Sequence, residues 1–309
     1  FKEVLKEDNV SLDFDNYIRT NALQFPTKFL TEDVWSFDNP KWFSIIDKIN
    51  KNGLPLTDWD IEINRGVLTG YNKAFIIDEA KKNELIKADP KSAELIKPLL
   101  RGRDIQKYVA NDIVNWVIGT FPSKKLVIDE FVGVKNYLLT FGKTIHQTGE
   151  KGSRKKTSHQ WFETQDNIAF WQDFEKPKLI WKRIGSLLRF CYDESGAYCL
   201  DSTCIATGSK VKFLTAVLNS KLCNKELFRL SPKTGTGDLI ISVQALNPLR
   251  IPIPNEQQEK EICDLLNKII EIKKQNPAAD TTDLENQIDQ LVYRLYDLTE
   301  EEIKIIESN

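Results

Sequence analysis

Residues 143–161 concentrate cationic side chains in one short stretch of the sequence. Against a single acid, Glu150, they include five lysines or arginines and both histidines of the chain. Two glycines and a serine among them predict a loop, and Trp161 and Phe162 follow it. A basic loop beside aromatic rings suits a phosphate backbone, because cations replace condensed counterions and rings stack on bases. The alternative is a solvated loop whose aromatic residues belong to the core.

The side chains of this loop could contact nucleic acid in two ways. Cations neutralise phosphates, which predicts phosphate contacts for four of its residues, Lys151, Arg154, Lys155 and Lys156. Imidazole and amide groups can reach base edges, and glutamine pairs bidentately with adenine. His159 and Gln160 are therefore candidates for base contacts.

Charge is segregated along the chain, although the formal net charge is only −2. Residues 60–250 carry 30 basic and 21 acidic side chains, whereas residues 1–59 have a net charge of −3 and residues 251–309 a net charge of −8. A basic middle between acidic ends indicates a polyanion as the partner of the middle segment. A diffuse, solvated surface would have the same composition.

Other chemistry finds little support in the sequence. There is no G-x-x-x-x-G-K-[ST] phosphate loop, no H-E-x-x-H zinc motif and no G-x-S-x-G nucleophile motif. The five cysteines lack C-x-x-C spacing, so we expect no zinc site and a reducing, cytoplasmic environment. No apolar run approaches the roughly 20 residues that a membrane span needs. Asp129, Glu130 and Lys135 faintly resemble the acidic pair and lysine of a metal nuclease, which leaves a free-standing nuclease as a weak alternative.

Hydrophobic patterning predicts an α+β fold, with a mixed, sheet-centred body followed by an α-helical hairpin. Helices are predicted over residues 79–88 and 211–219, and residues 60–77 predict two strands around a glycine turn. Further short strands are predicted between residues 113 and 243, one of them over 126–129.

The C-terminal part carries two amphipathic stripes joined at Asn276 and Pro277, which predict the helical hairpin. Capping-box signatures mark where its helices and a brief third one begin, at Asn255/Gln258, Thr282/Glu285 and Thr299/Glu302.

Several strings, taken in order, resemble one known family. They are INRGVLTGYNKAFIID at residues 63–78, IKPLLRGRDI at 96–105, FEKPKLIW at 174–181 and IPIPNEQQ at 251–258. Together they are similar to the TaqI-like C-terminal specificity domain of type IIG restriction-modification enzymes, which are adenine methyltransferase-endonuclease fusions. The similarity extends over about residues 35–309.

This resemblance implies a target-recognition module that binds double-stranded DNA. In such enzymes a covalently linked methyltransferase flips an adenine and methylates its N6 from S-adenosylmethionine, and magnesium serves cleavage. We expect no cofactor in this chain itself, and all catalysis in linked methyltransferase or nuclease domains. The resembling strings add candidate DNA contacts at Arg65, Thr69, Tyr71, Asn72, Arg101 and Arg103. For the two arginines of the second string, a structural pair with Asp104 or another nearby carboxylate is the alternative.

The predicted organisation has three parts: a helical N-terminal segment over residues 1–58 that leads from a methyltransferase part outside this sequence, a target-recognition domain over 59–254, and the C-terminal helical hairpin over 255–309. The absence of methionine also suggests a piece of a longer protein. A competing hypothesis is a protein-interaction scaffold, in which the acidic hairpin binds a partner protein and the basic surface is incidental.

Overall fold

Two four-stranded sheets form the body of the chain and confirm the predicted α+β class. The computed structural model describes residues 42–308. Within this part the strands are β1 Leu54–Pro55, β2 Ile61–Arg65, β3 Ile76–Ile77, β4 Ile96–Leu100, β5 Asn115–Ile118, β6 Lys178–Lys182, β7 Ile184–Gly185, β8 Phe190–Asp193, β9 Tyr198–Cys199, β10 Thr203–Gly208, β11 Leu239–Ile240 and β12 Arg250–Ile251.

The helices of the described residues lie around and after these sheets. They are α1 Phe43–Asn52, α2 Asn72–Phe75, α3 Glu79–Ala88, α4 Val132–Leu139, α5 Val211–Leu218, α6 Lys221–Leu230, α7 Val243–Leu246, α8 Glu256–Gln275, α9 Thr282–Leu295 and α10 Glu300–Glu307. The predicted helix over 79–88 is confirmed, and the Asp78 carboxylate caps it by accepting a hydrogen bond from the Lys81 backbone N–H. In the described part, no helix is long and apolar enough to cross a membrane.

The first sheet has the strand order β2-β10-β6-β8, with every neighbouring pair antiparallel. Successive residues of a strand point to opposite faces, so Leu179 and Trp181 of β6 enter one hydrophobic cluster while Ile180 enters another. The sheet is thus covered on both faces, which explains why its central strands read as continuous apolar runs.

The second sheet has the order β3-β5-β4-β9, and only the β4–β9 pair is parallel. Helices α3 and α4 pack beside it over a third cluster, which includes Phe75, Leu85 and Val134. The two strands predicted within residues 60–77 are present as β2 and β3, but they belong to different sheets, and Gly66–Gly70 lies in the crossover between them rather than in a turn that pairs them. The predicted strand over 126–129 is also wrong, since Ile128–Glu130 forms a 3₁₀ turn.

The C-terminal helices pack on the body and share its largest hydrophobic cluster. Ile262 and Leu266 of α8 and Val292 of α9 are buried there together with the helix α5. The capping boxes at Asn255/Gln258 and Thr299/Glu302 are confirmed. The one at Thr282/Glu285 is wrong, because Thr281 precedes the helix and its hydroxyl binds the Glu285 carboxylate.

The N-terminal segment is described only from Trp42 onward. Helix α1 lies within the predicted N-terminal segment. Strand β1 follows it and pairs with β12, which is near the C-terminal end of the predicted recognition domain in the sequence. The predictions for residues 1–41 lie outside the described residues.

A buried ion pair fastens β6 to β8 across the first sheet. The Lys178 ammonium, which is inaccessible to solvent, donates to the Asp193 carboxylate at 2.5 Å and to the Phe174 carbonyl at 2.7 Å. The Ser195 hydroxyl donates to the other Asp193 oxygen at 2.6 Å. The pair therefore has the additional hydrogen bonds that a buried charge pair needs.

We predict that Lys178→Met lowers the free energy of unfolding by about 3–5 kcal/mol, because it leaves the Asp193 carboxylate buried without its cation. Urea unfolding followed by tryptophan fluorescence measures this. The double variant Lys178→Met/Asp193→Leu should recover much of the loss, and a single variant as stable as the parent would contradict the prediction.

Candidate nucleic-acid interface

The basic loop of residues 146–160 is folded back on itself by backbone hydrogen bonds. The Arg154 N–H donates to the His146 carbonyl at 2.8 Å, and the Gly149 N–H donates to the Arg154 carbonyl at 3.0 Å. Gly149 has a φ of +76°, and a Cβ there would lie 2.9 Å from Cβ of Lys156. Glycine is therefore required at this turn, and the predicted loop has a defined conformation.

Arg154 is buried at the base of this loop, which corrects its assignment to a phosphate contact. Its Nε donates to the Ile145 carbonyl at 2.8 Å, and Nη2 donates to the Trp161 carbonyl at 2.7 Å. Nη1 donates to two further carbonyls, those of Glu163 at 2.8 Å and Thr69 at 3.1 Å. Burial lowers the pKa of the guanidinium to about 10, so it stays charged at neutral pH. Most of its donors are occupied within the fold.

Because Arg154 reaches the Thr69 carbonyl, it joins the basic loop to the glycine turn at residues 66–70. The guanidinium also lies over the ring of Phe75, 5.0 Å from its centroid. The loop and the turn were predicted separately as DNA contacts, and this one side chain brings them together.

The glycine turn itself divides into buried and exposed candidates. Thr69 is buried, its hydroxyl donates to Oδ1 of Asn72 at 2.6 Å, and it accepts from the Tyr71 N–H. This corrects the prediction of a DNA contact for the Thr69 side chain, which shapes the turn instead. Asn72 is exposed, whereas the half-buried ring of Tyr71 packs edge-on against Phe141 at 5.8 Å.

The remaining candidates of the basic loop differ in exposure. Lys151, Lys155 and Lys156 are exposed and form no ion pair within residues 42–308. Gln160 is exposed, and its backbone N–H binds the Glu163 carboxylate at 2.7 Å. His159 is half-buried, and its Nδ1 is buried without a hydrogen-bond partner in the described part.

Arg65 lies at the end of β2 and is exposed. Its Nη2 donates to Oδ2 of Asp166 at 2.6 Å. The segment around Asp166 runs beside the glycine turn, since its N–H donates to the Leu68 carbonyl at 3.2 Å and the Gln165 N–H to the Thr69 carbonyl at 3.2 Å. Arg65 and the basic loop are thus connected through the turn.

The two arginines of residues 101–103 have different environments. Arg101 forms an ion pair with Asp104, with Nε 3.0 Å from Oδ2, and the same carboxylate accepts the Arg101 backbone N–H. The structure thus shows the pair with Asp104 that was the alternative for Arg101, and a DNA contact by Arg101 stays a prediction. Arg103 is exposed and forms no ion pair in the described residues.

Sequence reasoning missed Lys182 and Arg183, at the end of β6. Lys182 is exposed and lies opposite Thr203 in the sheet, while Arg65 lies opposite Cys204 on the other side of β10. Gly102 lies close to Lys182, since a Cβ placed on this glycine would be 3.3 Å from Cγ of the lysine. The next residue, Arg103, is therefore near Lys182. Lys182 and Arg183 both follow a run of apolar residues in the sequence. A strand that ends there brings its last side chains to the edge of the sheet, so cations after an apolar run could have identified them.

These contacts connect cations at one sheet end, all of them exposed except the half-buried Arg183, to the basic loop. We call this set the basic strip and define it as Arg65, Arg103, Lys151, Lys155, Lys156, Lys182 and Arg183. Contacts run from β6 across β10 to Arg65, then through Asp166 and the glycine turn to Arg154 and its flanking lysines. The register places Lys182 and Arg65 on opposite faces at this end of the sheet. The exposed cations of the strip can neutralise phosphates.

Lys124 is a further cation near this strip. Its Nζ lies 4.5 Å from the ring centroid of Trp171, and the neighbouring Ser123 hydroxyl donates to the Ile168 carbonyl at 2.8 Å. Burial, and then the nearby charge of Lys97, lower the pKa of Lys124 to about 8. This ammonium is held by a ring rather than by a carboxylate.

The acidic pair that suggested a nuclease does not form a metal site. Asp129 pairs with Lys135 at 2.5 Å, whereas Glu130 pairs with Lys91 at 2.5 Å. Within residues 42–308, no group of three or more potential ligands is placed to hold a metal ion. The described residues therefore give the nuclease hypothesis for Asp129 and Glu130 no support.

Comparison with known proteins identifies a family that matches this part of the chain. The family model for the TaqI-like C-terminal specificity domain matches residues 97–253. No curated protein matches the sequence.

Two solved restriction enzymes match this chain, and the first of them is similar to it in fold. The type IIL restriction-modification enzyme MmeI, solved in complex with DNA, has a TM-score of 0.55 and 14% identity over 82% of this chain. The type IIG restriction endonuclease BpuSI has a TM-score of 0.48 and 14% identity over 84% of this chain. The matched chain spans only about a third of each enzyme, 35% and 34% of their lengths.

Arg154→Ala should destabilise the fold by about 3 kcal/mol, because it leaves several buried carbonyls without donors. Arg154→Lys should not restore stability, since an ammonium lacks the planar fork. Thermal unfolding of both variants tests this against Lys155→Ala, an exposed neighbour expected to change stability by less than about 0.5 kcal/mol. Equal melting temperatures for Arg154→Ala and Lys155→Ala would contradict the structural role.

Proposed function

This chain belongs to the TaqI-like C-terminal specificity domain family, and we propose that it binds a DNA duplex along the basic strip and presents it to a covalently linked adenine-N6 methyltransferase. Its role is DNA target recognition. The duplex, the linked domains and the methylation are the proposed part.

One observation carries the proposal: in the part of the chain that the structure describes, Lys151, Lys155 and Lys156 are exposed and have no acidic partner, while Arg154 is buried as an anchor. A loop that only needed solubility would not require a fixed conformation. Cations at fixed backbone positions can contact phosphates and so set the register and orientation of a duplex. Arg65 and Lys182 add further cations at the end of the first sheet.

The linked enzyme would supply the chemistry. S-adenosylmethionine provides the methyl group in such a reaction, and a target adenine must leave the base stack to be reached. In this proposal the residues of the present chain bind and orient the duplex, and they hold neither that cofactor nor the magnesium that cleavage would use. The five free cysteines are consistent with a cytoplasmic enzyme.

The competing scaffold hypothesis depends on an available apolar face of the hairpin. The stripes of α8 and α9 are instead buried in the largest hydrophobic cluster, with Leu266, Ile288 and Val292 inaccessible or nearly so. A partner would therefore meet a mainly charged surface on the hairpin. This favours the DNA hypothesis.

The triple variant Lys151→Ala/Lys155→Ala/Lys156→Ala should bind duplex DNA more weakly, with a shallower salt dependence. If each lysine neutralises one phosphate, the slope of log K against log salt should lose about 2.7 of its magnitude, at about 0.9 for each phosphate. Fluorescence anisotropy with a random-sequence duplex at several salt concentrations measures this.

The matched control removes three exposed lysines from the hairpin, Lys260, Lys268 and Lys304. It changes the net charge equally but should leave affinity and slope close to those of the parent. The proposal fails if the parent binds no duplex at low salt, or if both triple variants lose affinity alike.

A further inference from the structure

The pair formed by Arg65 and Asp166 has free hydrogen-bonding capacity on both sides. Among residues 42–308, the guanidinium uses only Nη2, in the 2.6 Å bond to Oδ2 of Asp166, and the two side chains are 44% and 28% exposed. The arginines assigned to structure differ, because Arg154 is buried with four carbonyl bonds and Arg101 uses two nitrogens on Asp104. Arg65 therefore keeps a donor fork facing solvent.

Both members of this pair stand on rigid supports. Arg65 is paired with Cys204 in the first sheet, and the N–H of the next residue, Gly66, donates to the Thr203 carbonyl at 3.0 Å. Asp166 is fixed by its own N–H to the Leu68 carbonyl and by the Thr164 hydroxyl, which donates to the Asp166 carbonyl at 3.1 Å. Groups held this way lose little freedom when they bind.

A surface pocket of about 420 Å³ lies beside the pair, lined also by Ile168 and Phe170. Ile168 has a φ of +46°, which is unusual for a β-branched residue. Its carbonyl accepts from Ser123, and its side chain is buried, so the surrounding fold holds this conformation. Strain of this kind concentrates where proteins hold ligands.

We propose that Arg65 and Asp166 together read one G·C base pair of the target. Guanine presents its N7 and O6 acceptors in the major groove, which match the free fork of Arg65. The paired cytosine presents an N4 donor, which matches the free carboxylate oxygen of Asp166. This inference rests on the proposed function, and it adds which residues supply sequence discrimination and for which base pair.

A selection experiment tests this inference with the full 309-residue chain. A duplex library with a randomised core is selected at low salt, and the bound fraction is sequenced. The parent should enrich a motif that contains at least one G·C position. Arg65→Ala and Asp166→Asn should lose discrimination at that same position, by about 10-fold or more, and keep it at the others.

Arg65→Lys distinguishes base reading from a phosphate contact. It keeps the positive charge but lacks the fork, so it should retain overall affinity and lose discrimination at the G·C position. Lys155→Ala is the control and should weaken binding to all sequences alike, with the motif unchanged. Circular dichroism checks that each variant is folded; should Arg65→Ala unfold, the conservative variants Arg65→Lys and Asp166→Asn decide.

The possible outcomes separate this inference from the proposed function. If the parent enriches a motif and the Arg65 variants enrich the same one, Arg65 and Asp166 do not read bases, although target recognition stands. If the parent enriches no motif, the proposed function fails, and this inference fails with it.

Discussion

The geometry of the interface depends on one buried guanidinium. Arg154 donates to carbonyls from three separate segments, at Ile145, at Thr69 and at the chain following the loop. Backbone carbonyls in loops have no secondary structure to satisfy them, and burying them without donors is costly. A planar group with five N–H donors satisfies several at once. The basic loop can therefore have a fixed shape without helix or strand.

The burial of Arg154 separates two roles among the cations of the basic loop, namely positioning the loop and contacting phosphates. The lysines next to Arg154 extend outward because the arginine side chain is turned into the fold, over Phe75. Neutralising phosphates needs charge at the surface, whereas positioning that charge needs hydrogen bonds in the interior. The same division recurs at residues 101–103, where Arg101 pairs with Asp104 and Arg103 remains exposed.

Where local signals were strong, the sequence was sufficient to predict structure. The helix over 79–88 has an aspartate cap, and α8 has a complete capping box, so both were predicted with their first residues. The second strand predicted within residues 60–77 is shorter than expected, because Ala74 and Phe75 belong to a short helix, and its remaining residues, Ile76 and Ile77, pair in a different sheet from β2. A run of apolar residues does not specify its partner strand.

The candidate site was also predicted only in part. The exposed lysines of the basic loop were identified by their charge, but the sequence does not distinguish a buried arginine from an exposed one. The Arg65–Asp166 pair joins residues 101 positions apart, which no spacing rule could reveal.

The central claim is that a duplex lies along the basic strip. Lysine acetylation in the presence and absence of duplex DNA, mapped by mass spectrometry, tests this most directly, because bound phosphates shield the amines they contact. The account predicts protection of Lys151, Lys155, Lys156 and Lys182, with Lys260, Lys268 and Lys304 of the hairpin unchanged. Protection confined to the hairpin lysines, or no protection of the strip under conditions where DNA is bound, would contradict it.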